Sequence, residues 1–237
     1  MTLNWWDDAH IVAERGERPV DLILGAAKGD ENKDKIFEKT GDGIVQVTGN
    51  YETNRRLWVK GGTWLADNAT SGAPRTKIYV QNGATFGGVG HQFSTEYNDQ
   101  ATIEVSGTGS TIAPGSIDAE TGAKVYGTLS VGEEGATNGV SFADNTRLLI
   151  GFAPKTRYDA LAVKGAIDIG KNVTLELTAE DVPRLSGGRF VVATAEGGIN
   201  GTFANFIPID GRRCHLSYTE TQVVVEVGLK GMITTIR

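Results

Sequence analysis

Lys39-Thr40-Gly41-Asp42-Gly43-Ile44-Val45-Gln46-Val47-Thr48-Gly49-Asn50 is a short β-branched burst set between glycine turns. Val59-Lys60-Gly61-Gly62-Thr63-Trp64-Leu65 follows as a second strand-like run. Fragments of the phrase recur as Val80-Gln81-Asn82-Gly83-Ala84-Thr85-Phe86 and Val105-Ser106-Gly107-Thr108-Gly109-Ser110-Thr111-Ile112. A chain that repeats one short strand and one glycine turn is building a solenoid. The glycine centres Gly62, Gly83 and Gly109 lie 21 and 26 residues apart. A β-helical coil takes on the order of 20 residues, so this spacing predicts one phrase per coil. Each strand then pairs with the strand one coil away, with Val, Ile and Leu ladders inside and turns at the corners.

Working outward, period-2 alternation such as Lys77-Ile78-Tyr79-Val80 and Thr102-Ile103-Glu104-Val105 predicts strands near 44–48, 55–59, 63–66, 76–80, 84–86, 102–105, 110–113, 124–131 and 146–150. Val20-Asp21-Leu22-Ile23-Leu24 reads as a buried strand, and the charged run 28–35 as a solvated loop. Helical periodicity is nearly absent; Glu180-Asp181-Val182-Pro183-Arg184-Leu185 reads as one short turn. Beyond Pro154 the strands lengthen and become more apolar, as in Val173-Thr174-Leu175-Glu176-Leu177 and Val223-Val224-Val225-Glu226-Val227. The expected fold is therefore all-β, a parallel β-helix (solenoid) with a β-rich C-terminal cap, because a solenoid end must be covered. The expected organisation is an irregular N-terminal cap over 1–35, repeats over 36–151, last coils and cap over 152–228, and a tail over 229–237.

Composition agrees and narrows the function classes. Glycine is 32 of 237 residues without a three-residue period, and proline is only 6, which suits many short strands joined by tight turns. A net charge of −6 and no Lys/Arg cluster interleaved with aromatics argue against a nucleic-acid partner. The single cysteine, Cys214, allows no internal disulfide. No apolar run approaches the ~20 residues of a membrane span, so no membrane insertion by this segment is expected. Met1-Thr2-Leu3-Asn4-Trp5-Trp6-Asp7-Asp8 lacks the basic start and apolar stretch of a signal peptide, and so abrupt a start reads as that of a trimmed chain.

The 39–50 phrase with Val59-Lys60-Gly61-Gly62-Thr63-Trp64-Leu65 resembles the autotransporter-associated β-strand repeat, roughly K-x-G-x-G-x-[LV]-x-[LV]-[ST]-G-x-N followed by V-x-x-G-T-L. It departs at Trp64, where leucine is usual, and at Asn54-Arg55-Arg56, where Thr-Gly-Gly is favoured. A second stretch resembles the passenger segment that precedes many autotransporter barrels: Tyr158-Asp159-Ala160-Leu161-Ala162-Val163-Lys164-Gly165-Ala166-Ile167-Asp168-Ile169, with Gly198-Ile199-Asn200-Gly201-Thr202-Phe203-Ala204-Asn205, followed by Leu216-Ser217-Tyr218 and Val223-Val224-Val225-Glu226-Val227. The resemblance implies a right-handed parallel β-helix from a secreted or bacterial cell-surface protein. It implies a passenger or stalk segment that acts in display, adhesion or binding, with host or matrix glycans and glycoproteins as partners.

No catalytic constellation stands out. Asp42-Gly43 and Asp210-Gly211 lack the Asp-Thr/Ser-Gly pattern of aspartic peptidases and read as turns. Glycoside hydrolysis needs two carboxyls about 5–10 Å apart. Among Asp7-Asp8, Asp118 with Glu120, Glu133-Glu134 and Glu180-Asp181, the candidates are Asp118 and Glu120. They carry the alternative reading, a secreted hydrolase of glycans or glycoproteins. His10, His91 and His215 have no metal-binding spacing, so neither metal nor cofactor is expected. Cys214 and His215 are adjacent, so on a strand they face opposite ways and form no dyad. Gly107-Thr108-Gly109-Ser110 is neither a nucleophile elbow nor a phosphate loop. Sequons begin at Asn68, Asn172 and Asn200, and no glycan is read from them. Aromatics that could stack on sugar rings include Trp58, Tyr79 and Tyr97, and alternation turns Trp58 away from Leu57 and Val59. Any activity is expected on irregular segments such as 87–101 and 114–122.

Overall fold

A computed structural model describes residues 2–5, 8–29, 36–49, 51–52, 56–68, 77–92, 103–132 and 139–228. These are almost entirely β, with a single 3-10 turn over Val182–Arg184 where the short turn was expected. The strands lie in stacked, mostly parallel sheets, a solenoid-like arrangement.

Sheet I stacks Ala9–Val12, Ile36–Thr40, Arg56–Val59, Ile78–Val80, Ile103–Val105, Val140–Phe142, Ile167–Ile169 and Ile199–Asn200, every pair parallel. Sheet II stacks Leu22–Leu24, Ile44–Val47, Thr63–Ala66, Thr85–Gly88, Thr111–Pro114, Arg147–Ala153, Thr174–Ala179 and Asn205–Ile207 in the same way. Sheet III stacks His91–Gln92, Thr128–Val131, Ala160–Val163 and Gly188–Ala195 in parallel. It closes with Gln222–Val227 and Cys214–Tyr218, both antiparallel.

The repeat spacing therefore reads as one rung per phrase: Thr63, Thr85 and Thr111, each one or two residues after its glycine, are direct neighbours in sheet II. Equivalent positions are 21 residues apart between Leu57 and Ile78 but 37 between Ile103 and Val140, because segments inserted between sheets lengthen some coils.

Inside, sheet I contributes the ladder Phe37, Leu57, Ile78, Ile103, Val140 and Ile167, all buried. Sheet II faces it with Val45, Trp64, Phe86, Ile112, Leu148 and Leu175. Trp64, the departure from the repeat phrase, is 2% exposed and meets Phe37 edge-on at 5.6 Å between ring centroids. A bulkier residue there is matched by packing, not by a change of path.

The lysine of the opening phrase occupies an inward position of sheet I, between Ile11 and Val59 in register, and is fully buried. Its Nζ donates to the carbonyl oxygens of Gly41 (2.8 Å), Gly43 (2.7 Å) and Gly61 (2.6 Å). Lys39 thus satisfies corner carbonyls of two successive coils, of which Gly43 O also accepts from Thr63 N (3.2 Å). Burial lowers its ammonium to about 8, with Asp42, Asp21 and Glu14 opposing that shift. Glycine is required beside it: Gly62 has φ +56°, and a Cβ there would lie 2.4 Å from both Gly43 O and Lys39 Nζ.

Lys28 and Gly29, expected to open a solvated loop over 28–35, instead close the strand Ala26–Gly29, paired in parallel with Thr2–Trp5. The strand read over 20–24 is confined to Leu22–Leu24, and Ile23 points outward at 43% exposure. The strand read over 124–131 is broken into Lys124–Val125 and Thr128–Val131, because the Gly127 N–H is taken by the Asp159 carboxylate. Lys124–Val125 pairs antiparallel with Ser116–Ile117, forming a hairpin over 115–127. This hairpin folds back along the outer face of sheet II toward earlier coils. Ser116 Oγ donates to Asp67 Oδ2, and Gln46 Nε2 donates to Ile117 O (3.0 Å) and Asp67 Oδ2 (2.6 Å). At its tip a Cβ on Gly122 would touch Pro19 at 3.4 Å. The outward row of sheet II beneath it, with Gln46 and Leu65, is accordingly buried.

Candidate functional site

The outward row of sheet I runs His10, Glu38, Trp58, Tyr79, Glu104, Ser141, Asp168 and Asn200, one residue per rung. Parallel register makes direct neighbours of Trp58 and Tyr79, their ring centroids 4.8 Å apart and planes tilted by 34°. Two of the three predicted binding aromatics are thus brought together; Tyr97 lies outside the described residues. The pair is framed by charge. Lys60 Nζ sits 4.8 Å from the Trp58 ring centroid and pairs with Glu38. Lys77 Nζ sits 5.1 Å from the Tyr79 ring centroid and pairs with Glu104. Each ring is therefore polarised by an ammonium held in place by a carboxylate one rung away. Trp58 Nε1 is buried and has no hydrogen-bond partner. The arrangement is a half-buried aromatic pair bracketed by two lysine–carboxylate pairs.

Asp118 and Glu120 lie at the tip of the 115–127 hairpin, both exposed. Asp118 Oδ1 accepts from Thr121 Oγ1 (2.7 Å), Thr121 N (2.8 Å) and Glu120 N (3.2 Å). The Thr121 hydroxyl, and then the turn N–H groups, lower the Asp118 pKa, against a weaker opposing effect of burial. A general acid needs the opposite direction.

The carboxyl shifted that way is Asp159, which sequence reading passed over. Its side chain is 1% exposed, and burial raises its pKa although Lys124 and two backbone N–H groups oppose the shift. Lys124 Nζ lies 3.0 Å from Oδ2, Gly127 N donates to Oδ1 (3.1 Å) and Gly151 N to Oδ2 (3.2 Å). Tyr126 flanks the corner; burial, and then the charge and hydrogen bond of Glu180, push its hydroxyl up to about 12. The available signal was a charged residue inside the apolar phrase 158–163.

Elsewhere His91 Nε2 contacts Gly132 O at 2.7 Å, at the edge of a trough of about 370 Å³ on sheet III whose floor includes Ser130 and Ala162. Burial raises the Cys214 thiol pKa, which disfavours the reactive thiolate. No group of three or more His, Cys, Asp or Glu side chains among the described residues could hold a metal ion. Asn172 is stacked between Asn145 (2.6 Å) and Asn205 (3.0 Å) in an amide ladder, and Asn68 is buried. Among the described residues no helix is long and apolar enough to cross a membrane. No protein-family model matches the chain, and no curated protein matches it.

Proposed function

We propose that the chain is a right-handed parallel β-helix that serves as a secreted or bacterial cell-surface passenger or stalk segment. It is non-catalytic and acts in display or adhesion, binding host or matrix glycans or glycoproteins through the Trp58–Tyr79 face. The observation that carries binding is the register: two outward aromatics on consecutive rungs, 4.8 Å apart, flanked by Lys60 and Lys77. The repeat phrase supports the segment's role as a stalk, since its lysine and glycines serve corners.

A panel of soluble oligosaccharides titrated against intrinsic tryptophan fluorescence tests this. At least one is expected to bind, and Trp58→Ala to weaken it by about tenfold, as loss of one stacking contact of roughly 1.5 kcal/mol implies. Equal binding by wild type and Trp58→Ala, or none by either, would sink the assignment. One observation favours the hydrolase alternative, the raised pKa of Asp159. That carboxyl is enclosed, however, between Gly115 and Gly151. Release of reducing ends from the same panel, abolished by Asp118→Asn or Asp159→Asn, would establish the hydrolase instead.

A further inference from the structure

We propose that Lys124 and Asp159 condense into an intramolecular amide, Nζ to Cγ, which fastens the 115–127 hairpin covalently to the body of the solenoid. Lys124 belongs to the hairpin, and Asp159 lies directly before the sheet III strand Ala160–Val163. Their contact of 3.0 Å is walled by two glycines: a Cβ on Gly115 would lie 2.3 Å from Oδ1 and 2.6 Å from Nζ, and one on Gly151 2.7 Å from Oδ2. Both carboxyl oxygens already accept backbone N–H groups, from Gly127 at 3.1 Å and Gly151 at 3.2 Å.

In water an ammonium and a carboxylate stay apart as ions because each is well solvated. In this corner the carboxylate has lost that solvation, and a buried ion pair recovers only part of it by mutual attraction. Condensation replaces two charges by one neutral amide whose oxygen keeps its N–H donor. The raised pKa of Asp159 acts in the same direction, toward the neutral acid that an amine can attack. Reaction needs Nζ over Cγ, a shift that the flexible four-carbon stem of lysine allows.

The step balances without a co-reactant. A proton passes from Nζ to Oδ2, giving amine and carboxylic acid. The nitrogen lone pair forms the N–Cγ bond while negative charge develops on Oδ1, facing the Gly127 N–H, which acts as an oxyanion donor. The Cγ–Oδ2 bond then breaks. Oδ2 leaves as water with two of the three original ammonium protons, and the nitrogen keeps the third. The Lys124 side chain is 31% exposed, which gives the water a way out.

The test is the intact mass of the purified, folded and then denatured chain, followed by tryptic mapping. The wild type is expected to be lighter than its sequence mass by one water, with trypsin no longer cutting after Lys124 and a branched peptide joining Lys124 to Asp159. Lys124→Arg, which keeps the charge but cannot form this amide, is expected at full sequence mass. A wild type at full sequence mass overturns the proposal. So does a water loss that persists in Lys124→Arg, which would mark cyclisation at Asp42-Gly43 or Asp210-Gly211. The branched peptide is read in the wild type alone, so its presence or absence decides even if the variant folds poorly.

Discussion

Replacing Lys39 by methionine is expected to destabilise the protein by on the order of 3–5 kcal/mol, the scale for leaving buried polar partners uncompensated. Methionine matches the length of the lysine stem but has no donor for Gly41 O, Gly43 O and Gly61 O. With total stability of domains near 5–15 kcal/mol, that is a large fraction, and with an m-value of about 1–3 kcal/mol/M the urea midpoint falls by more than ~1 M. A shift below a few tenths of a molar would show that the carbonyls are satisfied by other means. The pH dependence is a second signature. Burial holds the folded-state pKa of Lys39 at about 8, below the ordinary lysine value of 10.5. Below pH 8 both folded and unfolded chains carry the charge, and the full desolvation cost is present. Between 8 and 10.5 the folded chain gives up the proton first, so this contribution to stability rises with pH. The stability gap between wild type and Lys39→Met should widen across that window and stay flat beneath it.

Trp64→Ala is expected to cost about 3–5 kcal/mol, the usual scale for removing a large buried aromatic and leaving a cavity. Trp64 spans the space between sheets and meets Phe37 at 5.6 Å, so the loss falls on two successive coils. Trp64→Leu, which restores the residue favoured by the repeat phrase, should cost less because leucine fills part of the space. Urea unfolding of the three proteins checks the order. If Trp64→Leu is as damaging as Trp64→Ala, the indole is held by something other than volume.

Much of the architecture was legible because a rung leaves a local signature. Gly62, Gly83 and Gly109 all adopt positive φ, and the threonine after each turn stacks on the next. Alternation placed Trp58 outward, and parallel stacking then set it on Tyr79, a neighbour 21 residues away. The hairpin over 115–127 was not legible, since it is held by contacts such as Gln46 to Ser116, 70 residues apart. Its strand 124–131 looked continuous because nothing local reveals that Asp159 captures the Gly127 N–H. Lys39 was visible as a letter of the phrase, but a lysine is ordinarily solvated, and only the corner carbonyls explain why this one is inside. Asp118 and Glu120 drew attention as neighbouring acids, whereas the carboxyl with perturbed chemistry, Asp159, stands alone in sequence and gains its partner, Lys124, only through the fold.

Along sheet I one residue of each coil stacks on its counterpart in the next. Spin labels on His10→Cys and Asn200→Cys, in a Cys214→Ser background, measure it directly by double electron–electron resonance. The two positions are joined by seven parallel register steps. At ~4.8 Å per step the stacking predicts one distance population near ~34 Å between backbones. A much shorter distance, or a broad distribution without a peak in that range, would contradict it.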